Sequence, residues 1–282
     1  MPELPEVETI ANGVNRRVRG DRIVSAWFSH YKEPFKTPPA VMAEALAGQR
    51  ISRVRRVGKH IVVDLGEARQ ARAYGKVPNA KSPGAQLLVH LGMTGRLLIV
   101  KPDVPVAPHT HAAFQLASGR ELRFVDPRRF GRLELLAQGG FTGPGSEPLT
   151  IFLDDFVALF RGRKLAIKAA LLNQSLLHGV GNIYADESLF RARIRPTRIA
   201  GRLNRERLSR LHRGLQTVLK AAIRAGGSSV SDYVDADGEA GFFQIQHNVY
   251  GREGLPCRIC GTPIRRIVLA GRGTHFCPLC QT

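Results

Sequence analysis

The stretch CRICGTPIRRIVLAGRGTHFCPLC, residues 257–280, decides the fold of the C-terminal part of the chain. It contains two Cys-x-x-Cys pairs, Cys257/Cys260 and Cys277/Cys280, with 16 residues between them. Two such pairs place four thiolates at the corners of a tetrahedron about 2.3 Å from a zinc ion. We therefore predict one structural Zn²⁺. Four protein ligands leave no open coordination position, so the metal is not expected to be catalytic.

The residues between the two pairs predict a short β-hairpin from Thr262 to Thr274, because apolar residues precede Gly271 and Gly273. Gly261 follows the first pair, where the chain must reverse and a side chain would be unfavourable. The alternative interpretations of the cysteines are two disulfides or redox-active pairs. Disulfide arrays are typical of secreted chains, and no thioredoxin-like strand–helix pattern follows either pair.

The composition indicates a basic, folded chain. The 282 residues include 42 Lys and Arg against 23 Asp and Glu, a formal net charge of +19, and 43% are hydrophobic. This surplus favours a polyanionic partner. The sequence contains no apolar run of the roughly 20 residues that a membrane span needs. The acidic, Pro-rich start does not resemble a signal peptide, so we expect reduced cysteines and a cytoplasmic location.

The hydrophobic pattern divides the chain into a strand-rich half and a helical half. An N-terminal helix is predicted from Glu6, because four valine and isoleucine residues recur at helical spacing. Eight short strands follow: 23–28, 51–57, 61–65, 87–91, 97–100, 113–116, 122–125 and 133–136. They favour an antiparallel β-sandwich. A linker is predicted at 143–146, and the later helices at 152–160, 165–172, 183–190 and 205–225. We predict a surface excursion at Gly66–Gln86.

The N-terminus suggests covalent chemistry. If Met1 is removed, Pro2 becomes a terminal secondary amine, which is less basic than lysine and can attack a sugar C1′. The resulting iminium keeps its charge and acidifies the C2′ hydrogen for elimination. Glu3 could protonate the ring oxygen as the sugar opens. Ordinary helix-start chemistry also explains these residues, since Pro5, Glu6 and Glu8 suit a first helical turn.

Six motifs in fixed order change this assessment. They are MPELPEVE at 1–8, HLGMTGRL at 90–97, DPRRFGRLE at 126–134, GVGNIYADESLF at 179–190, VYGREGLPCRICGTPI at 249–264 and GRGTHFCPLCQ at 271–281. Together they resemble the bacterial formamidopyrimidine-DNA glycosylase family over essentially the whole chain.

The resemblance implies a multidomain α+β fold with a DNA cleft between its halves. The implied domains are an N-terminal antiparallel β-sandwich with flanking helices at 1–142, a helix–two-turn–helix domain at 150–235 and a four-cysteine zinc-finger hairpin at 240–282. It also implies a bifunctional enzyme, expected to be a monomer in the bacterial cytoplasm. This enzyme removes oxidised purines from duplex DNA and then cleaves the emptied site by β- and δ-elimination.

The resemblance assigns roles to individual residues. Pro2 is the nucleophile and Glu3 the general acid/base, and Lys59 and Arg272 contact DNA phosphates close to the reaction. Met93, Arg128 and Phe130 fill the gap left by the extruded nucleotide, because an unstacked step can be refilled by an apolar wedge.

The resemblance also assigns the remaining DNA contacts. Asn182 is a phosphate ligand at a helix start, Lys168 is a further backbone contact, and His109 and His111 flank a strand that faces DNA. Arg129 is expected to anchor its loop by an ion pair instead. The loop from Gly226 to Asp237 matches the segment that covers an extruded 8-oxopurine, since glycines suit a loop that orders on binding.

Two departures and two alternatives remain open. The Gly66–Gln86 segment is expected to be longer than the usual family connection, which affects damage preference rather than reaction type. If Met1 stays attached, Pro2 nitrogen is an amide and the chain would bind damage without processing it. The alternatives are an endonuclease VIII-like glycosylase for oxidised pyrimidines, whose start usually reads PEGPE, and a non-catalytic lesion-binding zinc protein.

Overall fold

A computed structural model describes residues 1–66, 84–229, 236–239 and 241–282. The predicted excursion at Gly66–Gln86 lies mostly outside these ranges. By its internal contacts the chain divides into two compact units. Unit 1 comprises residues 1–2, 6–142 and 229–241, and unit 2 comprises residues 3–5, 143–228 and 242–282. The three predicted domains, 1–142, 150–235 and 240–282, stay a prediction.

Unit 1 is built on two four-stranded antiparallel sheets. Its strands are β1 (Ile23–Phe28), β2 (Arg50–Val57), β3 (His60–Gly66), β4 (Gln86–His90), β5 (Arg96–Val100), β6 (Thr110–Leu116), β7 (Glu121–Val125) and β8 (Arg132–Leu136). The strand orders are β1-β6-β7-β5 and β2-β3-β4-β8. Apolar residues of both sheets form one buried cluster, so the predicted β-sandwich and its eight strands are confirmed.

Two helices complete the core of unit 1. Helix α1 (Leu4–Val18) buries the residues at helical spacing, Val7, Ile10, Val14 and Val18, against both sheets. Helix α2 (Pro39–Leu46) was not predicted from the sequence, and it buries only Met42 and Leu46. Its signal was a proline at the first helical position, followed by an Ala-rich turn and two apolar residues four positions apart.

Unit 2 is helical up to its C-terminal hairpin. The helices are α3 (Leu153–Phe160), α4 (Ile167–Leu172), α5 (Asn182–Ala192) and α6 (Arg205–Arg224). Helix α5 is buried along almost its whole length, and α6 presents an apolar stripe to the same core. The four predicted helices are confirmed, with bounds that differ by one or two residues.

The last element is a two-stranded antiparallel hairpin, β9 (Arg265–Leu269) and β10 (Arg272–Phe276). Ala270 and Gly271 connect the strands, and both have positive φ, 48° and 72°, as a tight hairpin turn requires. Gly261 also has positive φ, at 73°. The predicted hairpin and the predicted glycine turn after Cys260 are therefore confirmed. None of the helices in the described ranges combines the length and apolar character that a membrane span requires.

Candidate functional site

In unit 1, residues from three of the motifs lie at one end of the sheet β2-β3-β4-β8. Gly58 and Lys59 form the turn between β2 and β3, and Gly58 has a φ of 60°. Arg56 fixes this turn, because its guanidinium contacts Glu8 Oε2 of α1 at 2.6 Å and donates to Gly58 O at 3.3 Å. The Lys59 side chain is therefore presented by a rigid, half-buried turn at the sheet end.

His90 lies at the same end of the sheet, where it pairs with His60 across β3 and β4. Burial lowers the pKa of His90 to about 4, and the nearby His60, Lys59 and Arg132 act in the same direction. Its Nδ1 accepts a hydrogen bond from Gly92 N at 3.1 Å, which requires that nitrogen to be unprotonated. A neutral His90 thus fixes the start of the loop that carries Met93.

Met93, Arg128 and Phe130 lie on two adjoining loops of unit 1. Gly92 has a φ of 61°, and a Cβ there would lie 2.5 Å from Gly131 N, so the loops touch through backbone. Met93 is 40% and Phe130 50% exposed, while the Arg128 guanidinium lies 4.8 Å from the centre of the Phe130 ring. Exposed apolar side chains held beside a cation are suited to fill a gap in a base stack.

A buried carboxylate that the sequence analysis missed joins these loops. Asp126 is fully buried, and its Oδ1 accepts a hydrogen bond from Thr94 Oγ1 at 2.6 Å. Its Oδ2 accepts from Gly131 N at 2.7 Å. The signal was an aspartate directly after an apolar strand, followed by Pro-Arg-Arg, where side chains commonly accept backbone hydrogen bonds. Asp126 thereby connects the loop that carries Met93 to the loop that carries Phe130.

The neighbouring arginine has a different role from Arg128. Arg129 has a φ of 56°, its Nη1 lies 3.7 Å from Glu33 Oε2, and its guanidinium lies 4.6 Å from the Tyr31 ring centre. The prediction that Arg129 anchors its loop by an ion pair is confirmed.

The two predicted histidines occupy different environments. His109 is exposed at a positive φ of 64°. His111 is only 1% exposed, its Nδ1 lies 3.1 Å from Ser29 Oγ, and its Nε2 lies 3.0 Å from Asp126 O. His111 would have to leave these partners to touch DNA, so its contacts favour a role in holding the Asp126 loop. The DNA contacts of both residues stay predictions.

In unit 2, Glu3 lies on the first turn of α5. Its carboxylate is 4% exposed and accepts hydrogen bonds from Ile183 N at 3.0 Å and Tyr184 N at 3.4 Å. Free N–H groups and the helix dipole stabilise an ionised carboxylate at this position. Pro2, the preceding residue, is buried, and Met1 before it is 47% exposed.

Two glycines of the 179–190 motif make room for the Glu3 segment. Leu4 N donates to Gly179 O at 3.0 Å, and a Cβ on Gly179 would lie 2.9 Å from Leu4 Cβ. A Cβ on Gly181 would lie 2.3 Å from Glu3 Cδ and 2.5 Å from Oε1. Any side chain at position 181 would therefore displace the Glu3 carboxylate.

Asn182, Arg272 and Tyr250 surround this helix start. Asn182 Nδ2 donates to Gly273 O at 2.9 Å, and Arg272 is exposed directly after the β9–β10 turn. Burial raises the pKa of Tyr250; the charges of Glu3 and Asp186 also raise it, whereas a hydrogen bond with Asn182 opposes the shift. Within unit 2, Glu3, Asn182 and Tyr250 are therefore close neighbours. Tyr250 belongs to the motif at 249–264 but was not predicted as a site residue.

The next turn of α5 carries two acidic residues that the sequence analysis also missed. Glu187 accepts hydrogen bonds from the backbone N–H groups of Asn248, Val249 and Tyr250, each at 2.9 to 3.0 Å. Asp186 accepts one from His275 N at 2.8 Å and pairs with Lys168, which is completely buried. These carboxylates fasten the 248–250 segment and the hairpin to one helix.

The four cysteines of unit 2 fit a tetrahedral metal. All four sulfurs lie within 4.8 Å of one another. The Cys257–Cys280 and Cys260–Cys277 sulfur separations are 3.9 Å and 3.5 Å. A tetrahedron with zinc–sulfur bonds of about 2.3 Å has edges of about 3.8 Å.

Hydrogen bonds support the thiolates from the backbone. Ile259 N donates to Cys257 Sγ, and Cys280 N donates to Cys277 Sγ. The hydrogen bonds of Thr262 lower the pKa of the Cys260 thiol to about 6. Cys257, Cys260, Cys277 and Cys280 therefore hold one zinc ion that secures the hairpin.

The predicted lesion-covering loop is described only in part. Gly226 and Gly227 have φ values of 75° and 84°, and Ser228 forms an isolated bridge with Phe242. Residues 230–235 lie outside the described ranges. The covering role stays a prediction.

Three family models match the chain in sequence. They are the formamidopyrimidine-DNA glycosylase N-terminal domain at residues 1–133, the formamidopyrimidine-DNA glycosylase H2TH domain at 144–234, and a zinc finger found in FPG and IleRS at 254–282. The chain is similar to proteins named formamidopyrimidine-DNA glycosylase from Solibacter usitatus and Ralstonia pickettii, with 44% and 43% identity. Each comparison covers 100% of this chain and 99% or 100% of the relative.

Solved structures are similar over the same extent. The MutM (Fpg) protein from Thermus thermophilus is 41% identical with a TM-score of 0.83, over 99% of this chain and 98% of that one. The Lactococcus lactis Fpg in complex with DNA containing an abasic site is 32% identical with a TM-score of 0.86, over 99% of both chains.

Proposed function

Because this chain belongs to the formamidopyrimidine-DNA glycosylase family, we propose that it excises oxidised purines from duplex DNA and cleaves the strand at the emptied site. The observation that carries this proposal is the Glu3 carboxylate on the first turn of α5, directly after Pro2 in the chain. Complexes of the Lactococcus lactis protein with DNA containing Fapy-dG, an oxidised purine, or an abasic site support the proposed lesion and the proposed product of its excision.

The first step needs a free amine at Pro2. After removal of Met1, the Pro2 nitrogen attacks C1′ of the damaged nucleotide, and the C1′–base bond breaks with its electron pair passing to the base, which takes up a proton. Glu3 protonates the ring oxygen as the sugar opens, leaving an iminium between Pro2 and C1′. Before it can act as an acid Glu3 must take up a proton, and its two backbone donors hold the carboxyl group in place.

The iminium then acts as the electron sink for two eliminations. Loss of a C2′ proton expels the 3′-phosphate, and a second elimination expels the 5′-phosphate. Hydrolysis releases the amine and leaves a one-nucleotide gap. We propose Lys59 and Arg272 as cationic ligands of the phosphates around the lesion, with Asn182 as a neutral one. The zinc ion, held by the four cysteines, supplies no step and keeps the hairpin that carries Arg272 folded.

The residues of unit 1 are proposed to act on the DNA rather than on the sugar. Extruding a nucleotide costs a few kcal/mol of lost stacking, and inserted apolar side chains refill the gap. Met93 and Phe130 are the proposed wedge, and Arg128 is proposed to donate hydrogen bonds to the unpaired partner base. His109 is proposed as a further surface contact with DNA.

Borohydride trapping tests the covalent step. Reduction during turnover on a duplex with 8-oxoguanine opposite cytosine is expected to fix a protein–DNA adduct at residue 2, located by mass spectrometry of the peptides. Pro2→Gly is expected to lose most strand nicking, and Glu3→Gln to lose base excision. Glu44→Gln, on the exposed face of α2, is the matched control. Full nicking by the Pro2→Gly chain, or an active preparation that retains Met1, would refute the mechanism.

A lesion panel tests the substrate class. Duplexes with 8-oxoguanine, formamidopyrimidine guanine and thymine glycol separate the purine enzyme from the pyrimidine alternative, because the proposal predicts faster release of the two purines. Binding of all three without trapping would instead indicate a non-catalytic lesion-binding protein.

We also propose that the enzyme is a monomer in the bacterial cytoplasm, associated with the chromosome through DNA binding. Thiolate ligands favour a reducing compartment. Cell fractionation and the hydrodynamic mass of the purified chain test both statements.

A further inference from the structure

Lys168 is buried away from solvent and has partners within unit 2. Its side chain is completely buried on α4, and its Nζ lies 2.7 Å from Asp186 Oδ1. The same nitrogen donates to Gly273 O at 2.9 Å and to Thr274 Oγ1 at 2.8 Å. Two of the three ammonium donors are therefore used in hydrogen bonds, and the Asp186 carboxylate balances the charge as an ion pair.

The partners of Lys168 lead directly to the proposed phosphate ligands. Gly273 is the residue after Arg272, and its carbonyl oxygen also accepts the hydrogen bond from Asn182 Nδ2. The other oxygen of Asp186 accepts from His275 N at 2.8 Å and lies 3.3 Å from His275 Nδ1. One buried ion pair therefore holds the backbone of β10 on both sides of Thr274, adjacent to Arg272.

We propose that Lys168 and Asp186 are positioning residues, which fix the Arg272 turn and the Asn182 amide for phosphate binding, and that Lys168 itself does not contact DNA. The inference rests on the proposed function of this site and deepens it. The family resemblance implied that Lys168 contacts a DNA phosphate. In the present proposal Lys168 instead holds the Gly273 carbonyl, and through it the neighbouring Arg272.

The electrostatics of the pair agree with this geometry. Burial lowers the pKa of Lys168, the Asp186 carboxylate opposes that shift, and the positive charge of Arg272 adds to it. Arg272 is thus close enough to Lys168 to affect the pKa of its ammonium group. A buried ammonium so placed depends on its carboxylate partner, because a buried ion without a partner is strongly unfavourable.

The test compares one paired variant in two backgrounds. Lys168→Met with Asp186→Asn removes both charges together, so that neither buried charge is left without its partner. This double variant is made in the wild-type chain and in the Arg272→Ala chain. Lys220→Met, at an exposed lysine of α6, is the matched control. Zinc content and the circular dichroism spectrum establish that each variant is folded.

Two quantities are measured for each chain. The first is the rate of strand cleavage divided by the rate of base loss on one 8-oxoguanine duplex. A general folding defect lowers both rates together and leaves this ratio unchanged. The second is the affinity for an undamaged duplex, which requires no catalysis.

In the wild-type background, the double variant is expected to lower the cleavage ratio by roughly 10- to 100-fold, as a contact misplaced by about 1 Å can do. It is also expected to weaken duplex binding. In the Arg272→Ala background, both effects are expected to shrink strongly, because the residue being positioned is absent.

Two results would overturn the inference. A zinc-loaded double variant with the wild-type ratio and affinity would show that the pair positions nothing. Equal losses in both backgrounds would show that Lys168 contacts DNA independently of Arg272. A wild-type chain that binds duplex DNA but neither excises nor cleaves would contradict the proposed function, and the affinity comparison would still decide the role of Lys168.

Discussion

Gly181 shows how a single missing side chain determines where the Glu3 carboxylate, the proposed acid/base group, lies. The space that its Cβ would occupy is filled by the Glu3 carboxyl group, at 2.3 Å from Cδ. Glycine is therefore required at this position by the close approach of another residue rather than by a positive φ. The distance also explains why Gly179-Val180-Gly181 precedes the helix that receives Glu3.

Replacing Gly181 with alanine is expected to reduce base excision by roughly 10- to 100-fold, because the Glu3 carboxylate must leave the N–H groups of Ile183 and Tyr184. Affinity for undamaged DNA should change little. Single-turnover excision of 8-oxoguanine and a binding titration measure the two effects. Gly66→Ala is the control, since among the described residues its Cβ would meet nothing closer than 3.7 Å. Equal excision rates for both variants would contradict the steric explanation.

His90 gives a prediction for stability against pH. Its pKa of about 4 in the folded chain lies below the ordinary value of 6.5, so the unfolded chain takes up the proton first as the pH falls. The contribution of His90 to the unfolding free energy is therefore nearly constant above pH 6.5. It decreases progressively as the pH falls from 6.5 to 4. From pH 7 to pH 5 the loss from this group is about 2 kcal/mol.

Denaturant unfolding at pH 7 and pH 5 measures this loss, with fluorescence of Trp27, the single tryptophan, reporting on unit 1. His90→Asn keeps an acceptor for Gly92 N–H but cannot titrate, so its decline between the two pH values should be smaller by about 2 kcal/mol. The exposed His109, whose positive φ suits asparagine, provides the control His109→Asn. Identical declines for His90→Asn and wild type would contradict the assignment.

At the scale of elements, the C-terminal hairpin depends on its metal. Strands β9 and β10 have only five residues each, and the small buried cluster around them includes two of the zinc ligands. Two short strands are not stable by themselves in water. Zinc binding therefore contributes to the free energy that keeps this hairpin folded, in addition to the contacts of β10 with Asp186 and Lys168.

Removing zinc with a chelator is expected to unfold the hairpin and to release Arg272 from its position. DNA affinity should fall by more than tenfold, which corresponds to about 1.4 kcal/mol, and it should return when zinc is added back. Unit 1 has its own core, so Trp27 fluorescence is expected to stay unchanged. A metal-free chain with full DNA affinity would contradict the structural role of zinc.

At the scale of the whole molecule, the net charge of +19 dominates encounter with DNA. Each phosphate that the protein neutralises releases counterions, so the logarithm of the binding constant falls linearly with the logarithm of the salt concentration. With six or more phosphate contacts, affinity is expected to fall by about 10³-fold or more between 50 and 200 mM salt. Fluorescence anisotropy at four salt concentrations measures the slope. A nearly flat plot would contradict the phosphate-contact model.

Much of this organisation was predictable from local sequence pattern. The eight strands, the long helices and the zinc hairpin each have a period or a spacing that the sequence displays. Helix α2 was not predicted, because only two residues, Met42 and Leu46, form its buried face. Asp186 and Glu187 were not predicted for another reason, since their backbone partners lie 61 to 89 positions away, and nothing in the sequence signals those contacts.

Helix α5 carries three attachments within two turns: Glu3 at Ile183 and Tyr184, the hairpin at Asp186, and the 248–250 segment at Glu187. A residue inserted between Tyr184 and Asp186 would rotate everything after it by about 100° around the helix axis. Asp186 and Glu187 would then face away from their partners while Glu3 stayed in place. Gain or loss of a codon in this helix would therefore break two of the three attachments at once, and length differences among related chains should fall elsewhere.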